Sequence, residues 1–401
     1  MRFDIHYRND LTNKISSVVN DMKQWNQETA EDKADFKKIT NYAESFSHCV
    51  KASEPFTICG ADSSGEFPVT TYNDSYIYLV TALTRLYSAV KEGHLKEEVI
   101  EDSNIVDFLW LPEDKQESDK HFETFFENLI QMSLPDLCRE SDYLMLRKQI
   151  TGKNITTQEL LSLLLKPNAH DANNVRIHLM TAAELCTIAR LMKSNMQPTY
   201  LIADTTLTLP LIKQRGCLFF ELVKRYCCQL ARTKGSVFMA LSKSHNIPHM
   251  DRIIEEIAHK TGSQEHWYLR IPTLEDDNFR PKFLSSRGIP PIGGITYIVR
   301  FHKNIPPMRI DFDKYYWKES IWSDDSDLML KREQRIFGDL DFTTHDQRSY
   351  GYPYPVKASH DIVSLTRAEK EALRKQIIDA AERAGLKRQN FTDISLLTGH
   401  S

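Results

Sequence analysis

Two aspartates stand where apolar, strand-like runs stop. Phe56-Thr57-Ile58-Cys59 leads through Gly60-Ala61 to Asp62, and Thr199-Tyr200-Leu201-Ile202-Ala203 leads to Asp204. A carboxylate at the end of a buried strand is held rigidly at the sheet edge, as a metal site requires. Magnesium and manganese favour such hard oxygen ligands. Taken alone, each Asp is first a cap on the following turn; two in one sheet, with the residues below, move the reading to a metal. Glu184 is the third acid, within Met180-Thr181-Ala182-Ala183-Glu184-Leu185, where it shares a helix face with Met180 and Ile188. A lone Glu there is costly unless it is ion-paired, with Arg176 or Arg190, or bound to metal. His360 follows Tyr352-Pro353-Tyr354-Pro355-Val356-Lys357-Ala358-Ser359. It is either a surface or capping residue, or a group that ligates manganese or moves a proton.

The elements that must position these residues show in the hydrophobic spacing. Residues 10–50 have a helical pattern, with Ile15, Val18, Val19, Met22 and Trp25 at helical intervals, until Pro55 breaks it. A β-meander is predicted next, its first strand ending at Asp62 before a Ser63-Ser64-Gly65 turn. Residues 99–174, rich in acids and amphipathic pieces, are expected to form a helical insertion. A helix over 175–194, the strand before Asp204, an apolar helix over 218–230 and a strand at 235–241 entering Ser242-Lys243-Ser244 follow. A helix over 251–262, strands at 294–303 and 308–312, a Tyr/Pro-rich loop carrying His360 and a last helix from about Ser364 complete the pattern. This alternation predicts one mixed α/β domain around a central sheet.

Strand acid, helix acid, second strand acid and a late residue near the last helix is the chain order of a ribonuclease-H-like metal site. Such a site holds two divalent ions about 3.5–4 Å apart for phosphodiester hydrolysis. Four segments resemble the NurA nuclease family. They are Ile58 to Gly65 (ICGADSSG), Ala183-Glu184-Leu185 with Tyr200 to Leu207 (YLIADTTL), Leu241-Ser242-Lys243-Ser244, and Gly351 to His360 (GYPYPVKASH). In the last, Tyr352 and His360 stand eight positions apart, as the family's active-site Tyr and His do. Ser63 and Thr205 occupy positions where the family usually has Gly, which touches backbone freedom beside both acids.

The resemblance implies a ribonuclease-H-like (PIWI-like) fold with a mixed central sheet flanked by helices and a helical insertion. It implies a 5′–3′ exonuclease of DNA, with or without endonucleolytic cleavage, dependent on Mn²⁺ or Mg²⁺. Asp62, Glu184, Asp204 and His360 would be the ligands, with Tyr352 the further active-site group. It also implies a homodimer docked on a HerA-like hexameric ATPase, working in DNA end processing or anti-phage defence. The expected organisation is an N-terminal helical segment, 1–50, and a nuclease domain, 51–401. A non-catalytic adaptor of a DNA-translocating ATPase is the alternative.

The net charge of −4 excludes a globally basic nucleic-acid binder, so DNA must be held locally, by metal or by a partner. Lys243 is a candidate phosphate contact, against a solvated loop lysine. Arg215, with Lys224, Arg225, Arg232 and Lys234, is a candidate groove, against a solvated helix face. Tyr350, Tyr352 and Tyr354 are candidates to stack on bases, against a loop packed on the sheet. The seven cysteines include no CxxC and several lie in apolar runs, pointing to a reducing cytosol rather than disulfides or structural Cys-zinc. No apolar signal core opens the sequence and no run of about 18 apolar residues occurs, so a cytoplasmic location without membrane insertion is expected.

Overall fold

The computed structural model of the protein describes residues 5–25, 30–48, 52, 54–65, 69–90, 94–100, 104–162, 172–207, 218–243, 245, 250–262, 265–272 and 293–392. Helices α1 (Ile5–Trp25) and α2 (Ala30–Ile39) precede a short strand, β1 (Ala43–Ser45). A meander follows: β2 (Phe56–Gly65), β3 (Thr70–Tyr72), β4 (Ser75–Ala89), β5 (Leu95–Glu98) and β6 (Ile105–Leu111). Helices α3 (Lys115–Ile130), α4 (Leu134–Glu140), α5 (Tyr143–Thr151), α6 (Thr157–Ser162) and α7 (Ala172–Lys193) come next. Strand and helix then alternate through β7 (Tyr200–Ala203), α8 (Leu218–Thr233), β8 (Val237–Ser242), α9 (Met250–Thr261) and β9 (Trp267–Arg270). The chain continues with β10 (Gly294–Arg300), β11 (Met308–Asp313), α10 (Ser326–Thr344), α11 (Tyr354–Val363), α12 (Arg367–Arg383) and β12 (Phe391–Thr392).

These strands join in one mixed sheet in the order β1-β9-β10-β11-β8-β7-β2-β4-β3-β12, with β5 and β6 also paired to β4. At its centre β2, β7 and β8 run parallel, and β4 lies antiparallel to β2. Both faces of the centre are apolar, as buried parallel strands require. Cys59, Ala61, Leu201, Ala203, Phe238 and Ala240 face a core shared with α3, α7 and α8. Ile58, Tyr200, Ile202, Met239 and Leu241 face another shared with α10 and α11.

Three expectations are corrected. The first strand does not stop at Asp62: β2 continues to Gly65 because Asp62 to Gly65 pair with Leu83 to Val80 of the long β4. The N-terminal 50 residues are not all helical, since β1 pairs with β9 and joins this segment to the sheet. The 99–174 region is not wholly helical, since β6 pairs with β4 from Tyr76 to Ala82 before α3 begins. The sequence pattern also passed over α10. Residues 163–171 of the 99–174 region lie outside the described residues.

Candidate active site

The parallel register aligns the two aspartates. Ile58, Cys59 and Gly60 stand opposite Tyr200, Leu201 and Ile202, so two further steps bring Asp62 level with Asp204 on the neighbouring strand. Ala203 is opposite Ala240, which puts Ser242-Lys243 at the same edge of the sheet. Carboxyl ends of parallel strands converging in this way are the usual place for a site in an α/β sheet.

His360 arrives from α11. It is not in a loop before the last helix, as the sequence suggested, but inside a helix whose first turn accommodates Pro355. That helix lies directly on β2 at Gly60, where a Cβ would sit 2.4 Å from both Pro355 C and Val356 N. The Ser359 hydroxyl lies 2.9 Å from the Gly60 carbonyl and 3.1 Å from that of Pro355, tying helix to strand. One residue on, His360 Nδ1 is 2.6 Å from Asp62 Oδ2. Asp62 Oδ1 accepts from the Ser63 amide at 2.7 Å, which fixes the carboxylate's plane.

Glu184 approaches from the opposite layer. Helix α7 packs on the other face of the sheet from α11, and Glu184 reaches past the end of the short β7. Its Oε1 accepts from the Asp204 backbone amide at 2.5 Å. Arg190, one expected ion-pair partner, instead donates to the Asn128 and Leu129 carbonyls. Burial, then the charges of Asp62 and Asp204, push the Glu184 carboxyl well above the ordinary range. Asp204 is exposed at the cleft mouth, yet it too is raised, first by desolvation; Asp62 adds to this, while Lys243 and His360 oppose it. The Lys243 ammonium lies 4.8 Å from the centre of the Tyr352 ring. The Tyr352 hydroxyl is buried and makes no hydrogen bond among the described residues. Burial and the same three carboxylates raise its pKa.

These groups open into a cleft of about 530 Å³, which Asp62, Asp204, Lys243, Tyr350, Tyr352 and His360 help to line. Sequence reasoning passed over Arg348 on its wall. Arg348 forks onto Asp346 with two contacts of 2.8 Å and covers the Tyr354 ring at 3.7 Å. Tyr354 also meets Tyr87 edge-on at 5.2 Å, so its ring is engaged within the chain. Lys357, which also lines the cleft, pairs with Asp361 at 2.5 Å.

The expected basic groove on α8 is corrected. Lys224 is buried on Glu221, Arg225 is buried between Asp142 and Asp313, and Arg232 binds the same two aspartates. Lys234 donates to the Ser194 carbonyl. Arg215 and Ser244 lie outside the described residues.

Three carboxylates and an imidazole are a donor set suited to a hard or borderline divalent cation. Asp62 and Asp204 raise the proton affinity of Glu184, and Asp62 that of Asp204; a cation would relieve the same repulsion. Their ligand atoms are nonetheless loosely spaced. Among the described residues, the group of His, Cys, Asp and Glu whose ligand atoms all lie within 4.8 Å of one another is found elsewhere, at His48, His266, Asp341 and His345.

No protein-family model matches the chain, and no curated protein does. Among solved structures, the chain is similar to the NurA nuclease from Sulfolobus solfataricus, with 14% identity and a TM-score of 0.44 over 95% of this chain and 98% of that one. It is similar to NurA bound to dAMP and manganese, with 14% identity and a TM-score of 0.37 over 94% of this chain and 98% of that one. It is also similar to Ciona intestinalis endonuclease V in complex with inosine-containing DNA, with 11% identity and a TM-score of 0.31 over 86% of this chain and 97% of that one.

Proposed function

We propose that the protein is a divalent-metal-dependent nuclease that hydrolyses DNA phosphodiester bonds on a ribonuclease-H-like sheet. The observation that carries this reading is the convergence of Asp62 from β2 and Asp204 from the end of β7 on one cleft, with His360 on Asp62 and the buried Glu184 of α7 bonded to the Asp204 amide behind them. The strand order β4-β2-β7-β8, with β2, β7 and β8 parallel, supports the fold assignment. Asp62, Glu184 and Asp204 would hold one or two Mn²⁺ or Mg²⁺ ions, with His360 as a further ligand or proton carrier. Bound there, the ion supplies Lewis acidity at the phosphate and lowers the pKa of water.

The chain's own groups do the positioning. The Asp204 amide orients the Glu184 carboxylate. Lys243, beside Asp204 and over Tyr352, offers its charge to a phosphate oxygen as negative charge develops there. The Tyr352 hydroxyl, without a partner among the described residues, donates to the scissile phosphate. Tyr350, exposed on the cleft wall, offers a ring to an unpaired base. The four sequence segments further support 5′–3′ exonucleolytic action by a homodimer on a HerA-like hexameric ATPase, in end processing or anti-phage defence.

The test is degradation of labelled linear DNA. Activity is expected with Mn²⁺ and none with EDTA, and Asp62→Ala or Asp204→Ala is expected to abolish it. Wild-type rates in either variant would refute the site. Co-expression with a HerA-like ATPase, with mass measurement and assays with and without ATP, tests the partner.

A further inference from the structure

Far from any sequence motif, three histidines surround one aspartate. His48 stands just beyond β1 and His266 just before β9. Those strands pair antiparallel, with Ser45 opposite Trp267, so the two rings come together at 5.0 Å. Asp341 lies in the last turn of α10 and His345, one turn on, caps its C-terminus. That helix is held over the same end of the sheet by Phe337, which stacks on Tyr268 at 4.4 Å. Asp341 is wholly buried; its Oδ2 lies 2.8 Å from His48 Nδ1 and its Oδ1 3.0 Å from His345 Nε2. His266 Nε2 is 3.6 Å from the same Oδ1, too far to bond, and is buried with no hydrogen-bond partner among the described residues. The His266 backbone has φ 58°, a left-handed conformation uncommon outside glycine. Such strain persists where the surroundings over-determine it.

We propose that His48, His266, Asp341 and His345 form a second, structural metal site for a zinc-type divalent ion. All four ligand atoms lie within 4.8 Å of one another. Bonds of about 2.0–2.2 Å in a tetrahedral site put ligands about 3.3–3.6 Å apart, so closing the shell needs shifts of at most about 1.5 Å in any pair. Imidazoles with one carboxylate suit zinc and its borderline neighbours better than magnesium. The ion joins the β1–β9 end of the sheet to the end of α10. From there the chain turns into the cleft wall: Gly351 donates to Thr344 at 2.7 Å, and the Tyr350 ring meets His345 edge-on at 5.6 Å. None of the four ligands lines the cleft itself.

The experiment uses the full chain, stripped with chelator, reloaded with Zn²⁺ or Co²⁺ and desalted. Wild type and Asp62→Asn are both expected to retain about one zinc per chain and, with cobalt, to show the visible absorption of a tetrahedral site. His345→Gln and His48→Ala, the latter at a side chain 40% exposed and therefore tolerant of change, should lose retained metal by about tenfold or more. Thermal unfolding should rise with Zn²⁺ in the wild type and not in these variants. Wild type that retains no zinc, His48→Ala that retains as much as wild type, or loss confined to Asp62→Asn would each overturn the proposal.

Discussion

Burial, then the charges of Asp62 and Asp204, make Glu184 harder to ionise. Glu184 is buried and Asp204 shares the raised range, so removing one carboxylate relieves repulsion without opening a cavity. Asp204→Asn should therefore fold with unchanged or higher thermal stability, while Mn²⁺-dependent DNA degradation falls by about 10³-fold or more, as when a metal or preorganised charge is lost. A stable variant with wild-type turnover would remove Asp204 from the site. A different carboxyl sets the pH dependence of folding. Asp339 on α10 accepts from the Tyr200 hydroxyl at 2.6 Å, yet burial raises it to about 6. In an unfolded chain it titrates near ~4. A carboxyl raised by folding contributes stability below its unfolded pKa, and that contribution is lost as pH rises through the folded value. Asp339→Asn should thus be the more stable protein at about pH 7, by on the order of 2 kcal/mol, with the gap closing near pH 4. Denaturant melts at both pH values test this, and a gap of equal size at both would mean that Asp339 does not titrate in the window. Asp204 was legible because an apolar strand leads straight to it. The histidines around Asp341 were not, because His48 and His266 come from distant segments and only Asp341 and His345 share a helical spacing.

At the scale of elements, the contact of α11 with β2 decides whether His360 meets Asp62. Only a residue without Cβ lets the Pro355-Val356 backbone come so close to the strand at position 60. Gly60→Ala should push α11 outward, cost about 1–3 kcal/mol by overpacking, and lower nuclease activity by about a hundredfold through misplacement of His360. Thermal melts and the DNA assay, with Ser359→Ala as a milder companion, measure both effects; full activity in Gly60→Ala would show that this contact does not position the site. The sequence suggested a loop here because Tyr-Pro-Tyr-Pro resembles a turn-rich segment. In the folded chain Pro355 occupies the first turn of α11, where its missing N–H costs nothing. The strand end at Asp62 was misjudged for a related reason. Ser63-Ser64-Gly65 has poor local strand character, and the ladder to β4 overrides it. The alternating core of β7, α8 and β8 was legible because its apolar periods are local and strong.

Across the whole molecule, long-range pairing was the least legible feature, since nothing near β1 or in the aspartates that hold Arg225 announces a partner so far along the chain. No described helix is long and apolar enough to cross a membrane. Yet α1 carries an apolar stripe that the described residues leave uncovered: Leu11, Ile15, Val18, Val19 and Met22 are 48–56% exposed. Among the described residues, nothing packs on this face. Such an exposed stripe marks an interaction surface. With a net charge of −4, a single chain has little general attraction for DNA, so an arrangement that places two clefts on one duplex raises its effective hold. We therefore expect self-association through α1. Each half-buried Val or Met contributes roughly 1 kcal/mol to such an interface, and a symmetric pair counts every side chain twice. Val18→Asp with Met22→Asp should then weaken the dimer by at least about a hundredfold. Light scattering over a dilution series reads the mass, and retention of zinc by the variant would show that the rest of the fold is intact. A variant with the same mass as wild type at every concentration would exclude this face as the dimer contact.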